Sequence, residues 1–211
     1  MAGRFITLEG GEGVGKSTQA RLLAEALEAR GIAVECTREP GGTPGAEAIR
    51  SLLLAPPADG WGPRAEALLF AAARADHLEK RILPALAQGK WVICDRFLDS
   101  TRAYQGGGGG LSDEELIALH RIGSQSILPD LTLLVEVPPE ISAGRLAGRD
   151  GGVSDAIGGR DSAYHARVAA AFRRLAEAEP ARFRGIDGTG APAQTHALIL
   201  AAIAPLLEPA A

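Results

Sequence analysis

Lysine is scarce in this chain of 211 residues, which has three lysines (Lys16, Lys80 and Lys90) among its 22 basic residues. Arginine therefore supplies most of the positive charge, and each lysine position is informative because the two cations are not interchangeable. The net charge of −4 argues against a protein that coats nucleic acid or lies on a membrane surface. A small anionic substrate could still be held by clustered arginines.

Cysteine and long apolar runs are also scarce. Cys36 and Cys94 fall in strand-like apolar runs, so we expect two buried free thiols rather than a disulfide or a metal pair. The four histidines show no ligand-like spacing, so they are expected to be surface or helix residues and no zinc site is expected. No apolar run is long enough to span a bilayer, and no signal peptide is expected before the first strand. We expect a cytoplasmic protein with no membrane or nucleic-acid partner.

Glycine, by contrast, is concentrated in a segment that can bind phosphate. Residues 10–17 read GGEGVGKS, between an apolar run at residues 5–8 and an amphipathic stretch, which is a P-loop in its strand–loop–helix context. Such glycines let backbone N–H groups surround an anion, and the helix N-terminus adds its positive dipole end. Lys16 can reach the β- and γ-phosphates, and Ser17 can ligate Mg²⁺. The predicted ATP-binding residues are Gly10, Gly11, Glu12, Gly13, Val14, Gly15, Lys16, Ser17 and Thr18.

Apolar strand-like runs alternate with helical stretches along the rest of the chain. The predicted strands lie at residues 5–8, 32–37, 91–95, 131–137 and 183–187. Because these runs are apolar throughout, they indicate a parallel sheet with helices on both faces, an α/β core of one domain spanning residues 1–211. Residues 64–88 form a long helical stretch that Pro84 bends or restarts. Asp95 ends a strand in the position of a Walker-B carboxylate near Mg²⁺.

P-loop folds serve several functions, so the fold alone does not identify the activity. No lysine lies in the Asn/Thr-Lys-x-Asp context of guanine recognition, which argues against a GTPase switch. Arginines and turn-rich loops after the strands favour a pocket for a second, phosphorylated substrate. The open alternatives are a kinase for another deoxynucleoside or its monophosphate and a P-loop switch or binding module with a protein partner.

Six motifs together resemble those of thymidylate kinases and occur in that family's order. They are EGGEGVGKST (9–18), TREPGGT (37–43), LFAAAR (69–74), DRF (95–97), STRAYQG (100–106) and PDLT (129–132). The resemblance covers most of the chain and implies a P-loop NTPase fold with a five-stranded parallel sheet and a mobile lid. It also implies transfer of the ATP γ-phosphoryl group to dTMP, giving dTDP, with Mg²⁺ as cofactor and a homodimer as the assembly.

The resemblance assigns roles in the acceptor site as well. Phe70 would stack on thymine, Arg74 would hydrogen-bond its O4 and Tyr104 would lie near the sugar C2′. Without the resemblance, Phe70 would be assigned to the core and Arg74 to the surface, and Arg38 could equally form an ion pair with Glu39 or a neighbour. The candidate dTMP-binding residues are Glu12, Arg38, Phe70, Arg74, Arg96, Ser100, Thr101, Tyr104 and Gln105.

The lid, at about residues 145–162, is expected to supply the catalytic arginine. The variable P-loop positions contain no arginine, so the chain resembles the bacterial type of the family that carries this charge in the lid. Arg149 is the first candidate and Arg160 the second, with Arg145 expected inside the preceding helix. The predicted catalytic residues are Lys16, Glu12, Arg96, Arg149 and Arg160. Five consecutive glycines at residues 106–110, where many members have an arginine, predict a floppy loop.

Overall fold

The computed structural model describes residues 3–150 and 156–208, with only the backbone of residues 149 and 150. In this part of the chain the strands are β1 (Phe5–Glu9), β2 (Val34–Arg38), β3 (Trp91–Asp95), β4 (Leu131–Glu136) and β5 (Phe183–Asp187). They form one parallel sheet in the order β2-β3-β1-β4-β5, which confirms the expected five-stranded α/β fold.

Helices connect the strands, in agreement with the predicted alternation of strands and helices. They are α1 (Lys16–Glu28), α2 (Pro44–Leu54), α3 (Pro63–His77), α4 (Leu83–Ala87), α5 (Leu98–Thr101), α6 (Asp113–Ser124), α7 (Pro139–Asp150), α8 (Ser162–Ala178) and α9 (Pro192–Leu207). Two π-helical segments, Leu78–Ile82 and Arg102–Gly108, follow α3 and α5. The predicted restart near Pro84 is confirmed, because α4 begins at Leu83. No helix within the described ranges has both the length and the apolar character needed to cross a membrane.

The sheet is covered on both faces, and alternate residues of its strands point to different cores. Ile6 and Leu8 of β1 belong to the cluster that includes residues of α1 and α9. Phe5 of the same strand belongs to a second cluster, with Leu78 and Ile82 from the segment between α3 and α4. Successive strand side chains point to opposite faces, so this division places helices on both sides of the sheet.

The cysteines only partly follow the sequence prediction. Both are free thiols, and Cys94 is buried in β3, which lies inside the sheet. Cys36 is exposed, so the prediction that it is buried is wrong. The reason is that β2 is an edge strand and lacks a neighbouring strand on one side.

The glycine run is also different from the prediction. Gly106, Gly107 and Gly108 belong to the π-helical segment Arg102–Gly108, so the prediction of a floppy loop is wrong for them. A Cβ on Gly107 would lie 2.3 Å from the Cβ of Ala171, and one on Gly108 would lie 2.5 Å from the ring of Tyr164. Glycine is required because this segment packs directly against α8.

Candidate active site

The parallel sheet brings the carboxyl ends of β1 and β3 side by side, and a cavity of about 460 Å³ opens at this edge. Ligands of open α/β sheets bind at this edge. Most of the predicted site residues line the cavity together. They are Glu12, Gly13, Gly15, Lys16, Ser17, Thr18, Arg38, Phe70, Arg74, Asp95, Arg96, Ser100, Thr101, Tyr104 and Gln105.

The P-loop follows β1 and leads into α1. Gly10 has a φ of 134°, and a Cβ there would lie 2.3 Å from the carbonyl oxygen of Val135, so the tight passage requires glycine. Lys16 begins α1, and its Nζ donates to the carbonyl oxygens of Gly10 at 3.2 Å and Gly11 at 2.5 Å. Burial lowers the pKa of Lys16 to about 8, and the positive charge of Arg96 adds to this effect. Triphosphate oxygens would favour the charged form of the amine.

Ser17 and Asp95 form the part of the site that can hold a metal ion. The Ser17 hydroxyl donates to Asp95 Oδ2 at 2.5 Å, whereas Asp95 Oδ1 is buried without a hydrogen-bond partner among the described residues. No cluster of three or more His, Cys, Asp or Glu side chains is found in the described ranges. Mg²⁺ bound together with phosphates needs only one or two protein carboxylates. A hydroxyl and an unpaired carboxylate oxygen therefore fit a divalent cation that binds with a nucleotide.

Arg96 lies between the P-loop and the part of the cavity wall that Ser100 and Tyr104 form. Its Nη1 donates to the Gly10 carbonyl oxygen and to Ser100 Oγ, each at 3.0 Å. Its Nη2 donates to Glu12 Oε1 at 2.6 Å and to the Tyr104 hydroxyl at 3.1 Å. The guanidinium also lies 4.9 Å from the centre of the Tyr104 ring. These contacts hold a cation in the cavity with a fixed orientation.

Glu9 supports this arrangement, and the sequence analysis did not identify it. Arg96 has a φ of 72°, a conformation that is rare for residues other than glycine. The neighbouring Phe97 N–H donates to Glu9 Oε1 at 2.8 Å, and Ser100 Oγ donates to Glu9 Oε2 at 2.6 Å. Burial, with the charge of Asp99 as the next cause, raises the pKa of the Glu9 carboxyl to about 8. Its signal in the sequence is an acidic residue that ends β1, as Asp95 ends β3.

Arg74 is buried rather than on the surface, and a carboxylate holds it at the cavity wall. Arg74 is 3% exposed, and its Nε donates to Glu39 Oε2 at 2.7 Å. Its Nη2 donates to Thr101 Oγ1 at 2.8 Å. The other oxygen of Glu39 accepts from His77 Nδ1 at 3.0 Å. His77 lies in α3 but is fully buried, so the sequence analysis missed its part in this network.

Arg38 forms an ion pair with a neighbour, Glu47, and not with Glu39, which was the other partner considered from the sequence. Its Nη2 donates to Glu47 Oε1 at 2.9 Å, whereas Glu39 is occupied by Arg74 and His77. Arg38 also lines the cavity. The ion pair and a contact with a bound anion are therefore compatible at this position.

The lid arginines occupy different positions. Arg145 lies inside α7 as predicted, lines the cavity, and donates to the Gly188 carbonyl oxygen at 2.8 Å. Arg160 forms an ion pair with Glu66 of α3, and its Nη1 donates to the Tyr164 hydroxyl at 2.7 Å. The side chain of Arg149 lies outside the described part of the structure.

Comparisons with known proteins agree on one family. The family model for thymidylate kinase matches residues 8–199. A thymidylate kinase of Rhizorhabdus wittichii is 59% identical over 207 residues, covering 98% of this chain and 100% of that protein. One of Gluconobacter oxydans is 51% identical over 209 residues, with 96% of each chain covered. The crystal structure of thymidylate kinase from Ehrlichia chaffeensis superimposes with a TM-score of 0.79 at 33% identity, covering 96% of this chain and 100% of that one. This chain belongs to the thymidylate kinase family.

Proposed function

We propose that the cavity is the active site in which the γ-phosphoryl group of ATP passes to dTMP, giving dTDP. The observation that carries this proposal is that one cavity of about 460 Å³ has two kinds of lining. The P-loop lysine, Lys16, lines it together with a wall of arginine and aromatic side chains, Arg96, Tyr104 and Phe70. Phosphoryl transfer depends mainly on positioning and on positive charge around the phosphate oxygens. A site that holds donor and acceptor side by side meets both requirements.

On the donor side, Lys16 and the P-loop bind the triphosphate. The phosphate oxygens replace the carbonyl oxygens of Gly10 and Gly11 as acceptors for Lys16 Nζ. Ser17 and Asp95 would hold Mg²⁺, which supplies positive charge at the β- and γ-phosphate oxygens when bound. The buried, unpaired Oδ1 of Asp95 supports this assignment.

On the acceptor side, Arg96 binds the phosphate of dTMP, because an oriented guanidinium is well suited to phosphate oxygens. Glu12 accepts from Arg96 and lines the cavity, and we assign it to the sugar of dTMP. Phe70 stacks on thymine and Arg74 donates to its O4. Arg38, Ser100, Thr101, Tyr104 and Gln105 complete the dTMP site.

We assign the lid to residues 145–162 of a single domain and the catalytic arginine to Arg149. An arginine that reaches the transferred phosphoryl group would stabilise the charge of the transition state. The ion pair between Arg160 and Glu66 supports Arg149 as the first choice, because Arg160 already has a buried counter-ion on α3.

Acceptor profiling tests the proposed function. The purified protein is given ATP and Mg²⁺ with dTMP, dUMP, dCMP or thymidine, and the products are separated. We expect dTDP to form with a kcat/KM about tenfold or more above that for dUMP, since one methyl group in an apolar pocket is worth about 10- to 200-fold. Higher activity on dUMP or thymidine, or equally rapid ATP hydrolysis without an acceptor, would contradict the proposal.

We also propose a homodimer in the cytoplasm. Leu68 on α3 and Ile117 and Ile122 on α6 are exposed large apolar side chains, and α3 packs against α6. A second copy of the chain would remove this surface from water. The free thiols Cys36 and Cys94 fit a reducing compartment. Sedimentation equilibrium tests the assembly, and a monomer at micromolar concentration would contradict it.

A further inference from the structure

A buried carboxylate, Glu66 of α3, lies behind the acceptor side of the cavity. The residue is 6% exposed, and both of its carboxylate oxygens are engaged. Oε1 accepts from Gln105 Nε2 at 2.9 Å, and Oε2 is paired with Arg160 Nη2. Gln105 is 2% exposed and lines the cavity. Glu66 is not one of the lining residues of this cavity, and it contacts the lining residue Gln105 through a hydrogen bond.

This contact determines which end of the Gln105 amide is available. An ionised carboxylate only accepts hydrogen bonds, whereas a glutamine amide has a donating NH₂ end and an accepting oxygen. Glu66 can therefore bind only the NH₂ end. Among the described residues, none donates a hydrogen bond to Gln105 Oε1. A hydrogen bond to a charged group favours this amide orientation by about ten- to a hundredfold.

We propose that Glu66 is a positioning residue for base recognition, which keeps the carbonyl oxygen of Gln105 available to the nucleobase. This oxygen can accept a hydrogen bond from N3–H of thymine. Cytosine has a lone pair at N3 instead, so two hydrogen-bond acceptors would face each other. The inference rests on the proposed contact between Gln105 and the base.

Arg160 has a defined part in this arrangement. It supplies the counter-charge that a buried carboxylate requires. Its guanidinium carbon lies 4.6 Å from the centre of the Tyr164 ring, and the Tyr164 hydroxyl donates to the Tyr104 carbonyl oxygen at 2.9 Å. These contacts connect Glu66 to α8 and to the segment that carries Gln105, so the carboxylate and the amide are held in register.

The test compares selectivity, the ratio of kcat/KM for dTMP to that for dCMP, in the full-length protein. In Glu66→Gln the new amide can accept or donate, so the Gln105 amide is free to turn. We expect selectivity to fall about tenfold or more. Glu25→Gln is the matched control, because Glu25 forms an exposed ion pair with Arg21 on α1 and does not line the cavity. It should keep the selectivity of the parent protein.

Further variants separate the inference from the proposed function. Gln105→Leu should lose selectivity, and adding Glu66→Gln to it should cause no further loss. Unchanged selectivity in Gln105→Leu would refute the base contact itself. Unchanged selectivity in Glu66→Gln, with a loss in Gln105→Leu, would refute only the role of Glu66.

One more variant keeps the test decisive if Glu66→Gln does not fold, as judged by circular dichroism. The exchange Glu66→Gln with Gln105→Glu again pairs an amide with a carboxylate and keeps an acceptor oxygen available to the base. We expect this double variant to prefer dTMP over dCMP. A preference for dCMP would overturn the inference.

Discussion

Replacing Glu9 by glutamine should make the protein more resistant to unfolding at pH 7.5 than the parent, and the gain should vanish toward pH 5. Burial raises the pKa of the Glu9 carboxyl from its ordinary value of 4.5 to about 8. Between these two values the folded state binds one proton more than the unfolded state. The stability that this group contributes is thus fully present below pH 4.5 and is lost as the pH rises through 8.

The magnitude follows from the same two pKa values. Each pH unit inside this window costs the folded state about 1.4 kcal/mol. From pH 5.5 to 7.5 the parent should therefore lose about 2–3 kcal/mol of unfolding free energy through Glu9. Glutamine mimics the neutral acid, because its oxygen can accept from the Phe97 N–H and its NH₂ can donate to Ser100 Oγ. Glu9→Gln should lack this loss.

Urea unfolding followed by circular dichroism at pH 5.5 and 7.5 measures the effect in both proteins. For each protein, the unfolding free energy at pH 7.5 is subtracted from that at pH 5.5, and the two differences are then compared. Other titrating groups act in both proteins and cancel, including His120, whose pKa is lowered by burial. An equal loss of unfolding free energy in the parent and in Glu9→Gln would refute the argument that Glu9 is neutral in the folded state.

Two further predictions concern the donor site and the lid. Because burial lowers the pKa of Lys16 to about 8 and phosphates favour its charged form, ATP affinity should fall between pH 7 and 9. Calorimetry at pH 8.5 in two buffers of different ionisation enthalpy should show proton uptake on ATP binding, and its absence would contradict this role. Arg149→Ala should lower kcat about 10²- to 10³-fold with unchanged stability. Arg160→Ala should also lower the unfolding free energy by about 1–3 kcal/mol, because it removes the counter-ion of the buried Glu66 carboxylate. Near-normal turnover in Arg149→Ala would transfer the catalytic role to Arg160.

Local patterns account for what the sequence by itself determined. Strand and helix periodicity is a property of a few consecutive residues, so all five strands were predicted to within two residues at either end. The P-loop and the Asp95-Arg96-Phe97 motif are equally local, and with four other short motifs they indicated the family and a donor site beside an acceptor site. The capping box that begins α6 at Ser112 is another short-range feature visible in the sequence.

Only the tertiary structure decided which acidic residues are buried and what they hold. Glu9 and Ser100 are 91 positions apart, and Glu66 and Arg160 are 94 apart, so no local pattern reveals either pair. The pKa of Glu9 depends on removal from water and on the charge of Asp99, both of which exist only after the sheet and α5 have come together. The glycine run follows the same principle, because the close approach of α8 makes Gly108 part of a packed helix.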